Sequence, residues 1–240
     1  QRLLVDVLLR RRIQLSWGAA EGCAMRVLEP ELLDVLPATD ERAQQSRRDL
    51  RKLNWLMGHE RLMAAMLQRA SFDTLIDLGT GDGQFAHNVV SRLRRSCRLV
   101  PVDQQRIPSA PPDLVVSDVM TFLRSLEPHP RTAIMANLFL HHFSDDALRE
   151  LFHEASRKVD CFCACEPRRS RLSLAAIRLL PLIGCNAVTR HDAAASIRAG
   201  FLDQELTALW PTAHGSADST WGICECERGF GSHCFFGSRQ

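Results

Sequence analysis

Residues 74–86, Thr-Leu-Ile-Asp-Leu-Gly-Thr-Gly-Asp-Gly-Gln-Phe-Ala, constrain the fold of this chain more than any other segment. The pattern predicts a short apolar strand, a glycine-rich turn and the first turn of a helix. Gly79, Gly81 and Gly83 supply the positive φ angles of such a turn and let a ligand approach the backbone closely. The free amides of the helix face the same crevice. The segment therefore predicts a ligand site at the carboxyl end of a buried strand.

The spacing of the glycines distinguishes between two kinds of ligand. A dinucleotide fingerprint requires its third glycine at position 84, where this chain has Gln. Here Asp77 precedes the turn, and the third glycine comes one position earlier. This Asp-x-Gly-x-Gly-x-Gly pattern resembles motif I of class I S-adenosylmethionine-dependent methyltransferases. The resemblance implies that the cofactor is contacted by Asp77, Gly79, Thr80, Gly81, Asp82 and Gly83.

Length and composition are consistent with one α/β domain that carries an appendage. The chain has 240 residues, 45% of them hydrophobic, and contains no long uncharged run typical of a membrane span. Its net charge is only +2, so nucleic acid is not an expected partner. The positively charged residues are almost all arginines, with Lys52 and Lys158 the only lysines. We interpret this bias as a consequence of a GC-rich genome and therefore expect a bacterial source.

The nine cysteines follow a pattern typical of buried strands rather than of metal sites. Cys161, Cys163 and Cys165 alternate through one predicted strand, and Cys224 and Cys226 alternate through another. Alternate residues share one face of a strand, where thiols behave as small hydrophobes. No pair has the C-x₂-C spacing of a zinc site. We therefore predict no metal site and a reducing, cytoplasmic location.

Polar residues follow the next three predicted strands. Asp103 ends the second strand and follows Gly83 by 20 residues. That is the separation expected for a carboxylate that binds both ribose hydroxyls of a nucleotide. The resemblance places the ends of the third and fourth strands near the adenine and the remainder of the cofactor. The residues concerned are Ser117, Asp118, Val119, Asn137 and Leu138.

The segment after the fourth strand, Leu-Phe-Leu-His-His-Phe-Ser-Asp at 138–145, resembles the corresponding part of small-molecule methyltransferases. The Asn/Asp-Pro-Pro-aromatic tetrapeptide of many base-amine methyltransferases is absent there, so a slot for a flipped nucleobase is not indicated. Histidine titrates near neutral pH, and His141 and His142 are candidate general bases for a phenolic or enolic proton. In the alternative interpretation each one packs beside the cofactor or caps a helix.

Several further elements carry candidate substrate contacts. The helix predicted before the glycine turn would cap the cavity, with Arg48 or Arg51 binding the methionine carboxylate, unless its charges form a solvated face. An apolar helix at 172–183 would wall the substrate side. Arg168 and Arg169 would hold an acidic group of the substrate or form a solvated pair. The candidate substrate-binding residues are Asn54, Met57, Glu166, Arg168 and His191.

Alternation of strands and helices through five units predicts an α/β, Rossmann-like, doubly wound and mostly parallel seven-stranded sheet. Strands at 221–227 and 232–237 would form a C-terminal antiparallel hairpin. The predicted domains are an N-terminal helical cap at 25–60 and a methyltransferase domain at 61–240. Residues 1–24 are either upstream sequence outside the functional protein or an ordinary N-terminal helix.

Together these motifs imply an S-adenosylmethionine-dependent methyltransferase that acts on a small, largely apolar metabolite. The preferred acceptor is the hydroxyl oxygen of a phenol, quinol or polyketide-like compound. Segments 46–58 and 191–201 resemble bacterial methyltransferases of secondary metabolism. The alternatives are a nucleic-acid or protein methyltransferase and a non-catalytic relative that keeps cofactor binding. A homodimer is a further expectation.

If residues 1–24 are upstream sequence, deleting them will leave the protein soluble, with its affinity for S-adenosylmethionine unchanged. The reason is that every motif described above follows Met25. Thermal unfolding and calorimetric titration of the chain 25–240 test this expectation. Loss of solubility or of cofactor binding on deletion would place the segment within the functional protein.

Overall fold

The computed structural model describes residues 25–211, 221–229 and 231–239, so the predicted extension at 1–24 lies outside the described residues. The strands are β1 (Thr74–Leu78), β2 (Arg98–Asp103), β3 (Val115–Val116), β4 (Thr132–Asn137), β5 (Cys161–Pro167), β6 (Trp221–Arg228) and β7 (Ser232–Arg239). The helices are α1 (Leu32–Val35), α2 (Glu41–Met57), α3 (His59–Leu67), α4 (Gln84–Val90), α5 (Val119–Ser125), α6 (Asp145–Lys158), α7 (Arg171–Ala176), α8 (Ala187–Ala199) and α9 (Glu205–Leu209). Two 3₁₀ segments occupy Leu140–His142 and Ile177–Ile183.

Strand β1 lies inside a seven-stranded sheet with the order β3-β2-β1-β4-β5-β7-β6. Neighbouring strands are parallel except at β7, which is antiparallel to both β5 and β6. The chain adds β2 and β3 on one side of β1 and then returns to add β4 on the other. This reversal opens a crevice at the carboxyl ends of β1 and β4, where open α/β sheets bind ligands. The predicted doubly wound sheet and its C-terminal antiparallel hairpin are confirmed.

Helices cover both faces of the sheet, and alternate residues of β5 pack into two different hydrophobic clusters. Phe162 and Ala164 belong to a cluster with apolar residues of α6 and α9. Cys161, Cys163 and Cys165 belong to a second cluster with residues of α3 and α4. All five side chains are fully buried. The cysteines of this strand therefore pack as small hydrophobes on one face, as the alternation predicted.

Short polar side chains fix where the helices begin. Asp40, Ser144 and Asn186 each accept a hydrogen bond from a backbone amide in the first turn of α2, α6 and α8. These bonds satisfy amides that have no partner within the helix. The predicted break at Gly58 separates α2 from α3. Helix α3 continues across the predicted domain boundary after residue 60 and packs against β5; the boundary itself stays a prediction.

Two predicted elements need correction. The third strand, predicted at 114–119, is only the two residues of β3, because Asp118 caps α5 and so ends the extended chain. The helix predicted at 172–183 changes after α7 into a 3₁₀ segment containing Pro181, which has no amide to donate. Much of its apolar surface faces outward instead of walling the cavity. The exposed side chains are Leu172, Leu179, Leu182 and Ile183.

An N-terminal strap, residues 25–36 including α1, crosses the carboxyl edge of the sheet and is tied down by Arg26. This guanidinium donates to the carbonyls of Ala199 (2.8 Å) and Phe143 (2.9 Å) and pairs with Asp145 at 2.6 Å. It also lies 4.2 Å from the centre of the Phe201 ring, a cation–π distance. No helix among the described residues is long and apolar enough to cross a membrane.

Replacing Trp210 with Ala should destabilise the protein by about 3–5 kcal/mol, because a large cavity would form in the core. Its ring is fully buried, and it packs on Phe152, Phe162, Trp221 and Phe235. Trp55→Ala is the matched control, since that indole is 69% exposed and its loss should change stability by roughly 0.5 kcal/mol or less. Urea unfolding of both variants measures the difference; equal losses would contradict the packing described.

Candidate active site

A cavity of about 630 Å³ opens at the crevice between β1 and β4. The ends of β1, β2 and β4 form one side of it, and the strap and α2 form the other. Of the residues predicted to bind the cofactor, only Gly83 lies outside the lining, where it precedes α4. The predicted residues that line the cavity are Asp77, Gly79, Thr80, Gly81, Asp82, Asp103, Ser117, Asp118, Val119, Asn137 and Leu138.

Two glycines of the turn are required by both conformation and space. Gly79 has φ of 72°, and a Cβ there would lie 2.4 Å from Cδ2 of Phe139. Gly83 has φ of 71°, and a Cβ there would lie 2.5 Å from Cγ of Pro111. Any other residue would therefore be strained and would also collide with a neighbouring ring. The turn is consequently fitted against two loops that border the cavity.

Asp103 is held at the edge of the cavity by backbone amides. The amide of Gly81 donates to its Oδ2 at 2.9 Å, and the amide of Gln105 donates to its Oδ1 at 3.0 Å. A carboxylate accepts more than one hydrogen bond at each oxygen. Asp103 therefore keeps acceptor capacity toward the cavity while its orientation is fixed from behind. This is the geometry needed to accept hydrogen bonds from a vicinal diol.

Asp77 is buried beneath the glycine turn, where it orders the loop. Its Oδ2 accepts a hydrogen bond from the hydroxyl of Thr80 at 2.5 Å. Burial, together with the charge of Asp103, raises the pKa of the Asp77 carboxyl to about 7, although the Thr80 bond acts in the opposite direction. Without a ligand, this carboxyl therefore loses its proton near neutral pH rather than in acid.

Asn137, at the exit of β4, belongs to a hydrogen-bonded chain that crosses to α2. Its amide donates to Oδ1 of Asn54 at 2.9 Å, and its Oδ1 lies 2.8 Å from Nδ1 of His59. Nε2 of His59 lies 2.9 Å from the hydroxyl of Ser232. Burial lowers the pKa of His59 to about 4, so this imidazole is neutral at physiological pH. The predicted candidates Asn54 and Asn137 are thus brought together.

Helix α2 contributes to the cavity one of the two arginines predicted as alternatives, together with a further arginine. Arg51 lines the cavity and pairs with Asp82 of the glycine turn at 2.8 Å. Arg48 instead donates to the side chain of Gln45 at 2.9 Å, and it is absent from the lining. Arg47, which the sequence did not single out as a site residue, takes a place in the lining.

Glu166 organises the loop after β4 and does not face the cavity. Its Oε1 accepts the amides of Phe139 (2.9 Å) and Leu140 (2.8 Å), and its Oε2 lies 2.7 Å from Nδ1 of His141. The carboxyl is fully buried. Burial alone would raise its pKa, but the His141 ring and the two amides lower it below its usual value. The prediction of Glu166 as a substrate contact is therefore wrong.

His141 lines the cavity with both ring nitrogens engaged. Nδ1 contacts Glu166, and Nε2 lies 3.3 Å from Oε1 of Glu31, on the strap. Burial would lower the pKa of this imidazole, but the two carboxylates raise it to about 9. An imidazolium held between two carboxylates does not accept a proton. His141 therefore holds its proton in this arrangement, and its role as a general base stays a prediction.

His142 lies beside His141, with ring centroids 4.3 Å apart, and also lines the cavity. Its Nδ1 is 3.7 Å from Oδ2 of Asp34, another residue of the strap. Burial and the neighbouring His141 lower the pKa of His142, whereas the surrounding carboxylates act to raise it. His142 is therefore the one of the two predicted histidines whose geometry still suits a general base.

Three further predicted substrate contacts lie elsewhere. Met57 ends α2 and lies outside the lining. Arg168 pairs with Glu227 of β6 at 2.8 Å. His191 pairs with Asp192, whose carboxylate accepts the first amides of α1 at 2.7 and 3.0 Å. The side chains of Arg168 and His191 therefore take part in ion pairs within the fold.

Arg169, the other predicted contact for an acidic substrate, likewise forms its bonds within the fold. It is buried, donates to the carbonyl of Gly200 at 2.6 Å and pairs with Glu205 at 2.5 Å.

The charged groups of the lining are mainly acidic. Among the described residues that border the cavity, the arginines are Arg47 and Arg51 only. A cavity of this sign attracts cations and repels phosphates. The carboxyl groups are those of Glu29, Glu31, Asp34, Glu60, Asp77, Asp82, Asp103 and Asp118.

Comparison with solved structures identifies the fold. The plantazolicin methyltransferase BamL, solved with a desmethylplantazolicin analogue and S-adenosylhomocysteine, superposes with a TM-score of 0.60 at 12% identity, over 85% of this chain and 92% of that one. An O-methyltransferase family protein from Burkholderia thailandensis gives 0.56 at 15% identity, over 84% and 61%. The pyocyanin biosynthetic protein PhzM gives 0.53 at 14% identity, over 84% and 60%. This chain therefore has the fold of these methyltransferases.

No protein-family model matches the sequence, and no curated protein matches it. At the identities found among the solved structures, the likeness shows the fold alone. Function must therefore be argued from the residues of this site.

Burial raises the pKa of Asp77, and the ligand-free protein should therefore become less stable as the pH rises. The folded state holds the proton up to about pH 7, whereas the unfolded chain loses it near pH 4, so stability falls between these values. From pH 5 to pH 8, the unfolding free energy of the native chain should therefore fall by ~2–3 kcal/mol relative to that of Asp77→Asn. Urea unfolding at both pH values measures this change.

Asp73→Asn is the control, since Asp73 is exposed and its hydrogen bond with Arg131 lowers its pKa. Its effect on stability should be the same at pH 5 and pH 8. If the native chain and Asp77→Asn showed the same pH dependence, Asp77 would be ionised throughout this range.

Proposed function

We propose that this protein is an S-adenosylmethionine-dependent methyltransferase that acts on a small, largely apolar metabolite. The observation that carries the proposal is the amide-held carboxylate of Asp103 beside the glycine turn, at the point where the sheet reverses its strand order. The preferred acceptor is the hydroxyl oxygen of a phenol, quinol or polyketide-like compound. The neighbours named above, which bear the names of plantazolicin and pyocyanin biosynthesis, support a small-molecule substrate.

The ends of the strands would hold the nucleoside part of the cofactor. Asp103 would accept both ribose hydroxyls, since its carboxylate is already oriented by two amides. Asp118, with Ser117 and Val119, would address the adenine, because all three line the cavity beyond β2. Glycines at the turn would let the cofactor approach the backbone, with Thr80 and Asp82 beside it.

The methionine part would lie between the turn and α2. Arg51 and Arg47 are the arginines among the described residues of the lining, and both suit the methionine carboxylate. Asp77 and Asp82 suit its ammonium group, and Asn137 and Leu138 complete this side. Loss of the Asp77 proton on binding is favoured, because a nearby cation stabilises the ionised carboxyl.

The acidic lining favours a sulfonium cofactor over a dinucleotide. A pyrophosphate would meet the carboxyl groups of Asp77 and Asp82 at the turn, which repel it when they are ionised. Residue 84 is Gln rather than the glycine of the dinucleotide fingerprint. Two independent features therefore point away from a nicotinamide or flavin dinucleotide.

Bound S-adenosylmethionine supplies a methyl group that its sulfonium already activates for displacement. The chain would position the acceptor behind that methyl and exclude water, which is where an enzyme of this kind gains rate. The substrate side suits an apolar compound because Leu28, Leu33 and Phe143 line it together with Phe139. His142 is the candidate general base that the geometry leaves for this half of the cavity.

The alternative functions fit less well. A nucleic-acid methyltransferase needs a basic surface around its site, whereas this cavity is acidic and the net charge is only +2. The ordered Asp103 and the two sterically restricted glycines argue against a relative that has lost cofactor binding, and the methyl-transfer assay below tests a non-catalytic relative that keeps it. A homodimer and a cytoplasmic location remain predictions.

Calorimetric titration with S-adenosylmethionine and with NAD tests the proposal. We expect S-adenosylmethionine to bind and NAD not to bind. Asp103→Asn should weaken S-adenosylmethionine by roughly 10- to 100-fold, because hydrogen bonds to a charged acceptor are worth about 1.5–3 kcal/mol. Asp113→Asn, an exposed carboxyl outside the lining, should leave affinity unchanged. NAD binding alone would overturn the proposal.

Transfer of labelled methyl from S-adenosylmethionine into extracts then tests the substrate class. Label should enter compounds that extract into organic solvent. Label found in RNA or protein would favour the alternative methyltransferases, and salt-dependent retention of RNA would support that result.

A further inference from the structure

Three side chains able to ligate a metal ion meet at the substrate side of the cavity. Glu31 comes from the strap, and His141 and His142 come from the 3₁₀ segment after β4. One ligand atom from each lies within 4.8 Å of the other two. All three residues line the cavity, so the space they surround is open to a substrate. The cluster joins segments 110 residues apart in the chain.

His141 is held in the orientation that a metal ligand requires. Nδ1 is fixed by Oε2 of Glu166 at 2.7 Å, which turns Nε2 toward Glu31. A ligating histidine nearly always donates its second ring N–H to a carboxylate or carbonyl, and this bond sets its tautomer and basicity. Glu166 is in turn fixed by the amides of Phe139 and Leu140. The ligand and its supporting residue are therefore both in place, and binding of the ion would release the Nε2 proton of His141 to solvent.

We propose that Glu31, His141 and His142 bind one divalent first-row transition-metal ion. Two imidazoles and one carboxylate form a donor set that suits ions such as Zn²⁺, Mn²⁺ and Fe²⁺. Ligand atoms on opposite sides of such an ion are at most about 4.4 Å apart, so a small rotation of Glu31 or His142 completes the site. Three protein ligands leave positions open toward the cavity.

Charge around the cluster favours a cation. Asp34 lies 3.7 Å from Nδ1 of His142 and brings a second carboxylate of the strap. With Glu31 it would balance the two charges of the ion, while Glu166 behind His141 adds a third negative group. A buried ion needs this compensation, because removing charge from water is costly unless it is paired.

The role of the ion rests on the proposed function. An acceptor hydroxyl bound in the open position would lose its proton to solvent water, because a Lewis acid lowers the pKa of a bound oxygen. The resulting oxyanion would attack the methyl group, so that the O–CH₃ bond forms as the S–CH₃ bond breaks. The products are the methyl ether and S-adenosylhomocysteine. His142 would then be a ligand rather than a general base.

The test measures binding of Co²⁺ alone to protein stripped with a chelator and desalted. Calorimetry should give about one Co²⁺ per chain, and the visible spectrum should show nitrogen and oxygen donors. Glu31→Gln and His142→Gln should each weaken Co²⁺ by at least about 10-fold, since even supporting residues of metal sites cost 10–100-fold. Circular dichroism and thermal unfolding verify that both variants fold.

Two control variants separate this site from other Co²⁺ ligands. His153→Gln removes a histidine of α6 whose side chain is 57% exposed, and it should leave Co²⁺ affinity unchanged. Cys224→Ser with Cys226→Ser removes two partly exposed thiols of β6, and it should also leave affinity unchanged. Binding lost only in the cysteine variant would overturn the proposal, as would the absence of stoichiometric binding.

A further outcome would assign His142 its other role. If chelator-treated protein kept full turnover while His142→Gln abolished it, His142 would act as a general base and the metal site would be overturned. The proposed function is tested separately by the titration with S-adenosylmethionine. A protein that bound Co²⁺ through Glu31 and His142 but did not bind S-adenosylmethionine would retain the metal site and lose the proposed function.

Discussion

The buried carboxylate of Glu166 is the interaction on which the rest of the cavity depends. At the carboxyl end of β5, it accepts the amides of Phe139 and Leu140 and the imidazole of His141. A fully buried charge is tolerated only when it is hydrogen-bonded and paired in this way. The partners lie in the loop after β4, and their bonds to Glu166 stabilise the arrangement of that loop. That arrangement includes Leu138 with a positive φ of 52°, a strained conformation that the surrounding bonds must maintain.

The same loop determines the shape of the glycine turn. Phe139 packs so closely over Gly79 that no side chain fits there, and the turn in turn holds Asp103 through the amide of Gly81. The carboxyl ends of β1, β2, β4 and β5 are thereby linked through short contacts between backbone and side chains. Because each contact constrains the next, the nucleoside side of the cavity is organised before any ligand enters, which lowers the ordering cost of binding.

The sequence predicted this side of the cavity well because its signals are local. Strand, turn and capping residues are adjacent in the chain, so the ends of β1, β2 and β4 could be located from Asp77, Asp103 and Asn137. The substrate side could not be predicted, since it depends on long-range pairing. Glu31 reaches His141 across 110 residues, and no local pattern marks it. Glu166 was misassigned for a related reason. A polar residue at the end of a strand gives the same sequence pattern whether its side chain faces a ligand or a neighbouring loop.

The two halves of the cavity are thus built by different physical means. The nucleoside half consists of strand ends, whose positions follow from the sheet and change little without loss of the fold. The substrate half consists largely of the strap, which Arg26 attaches through bonds to Ala199, Phe143 and Asp145. Asp192 holds the same strap by accepting the amides of Leu32 and Leu33, so these attachments together position the carboxylates of Glu31 and Asp34 that face the two histidines. Substitutions within the strap can therefore alter the chemistry offered to the acceptor while the sheet and its ligand crevice remain intact.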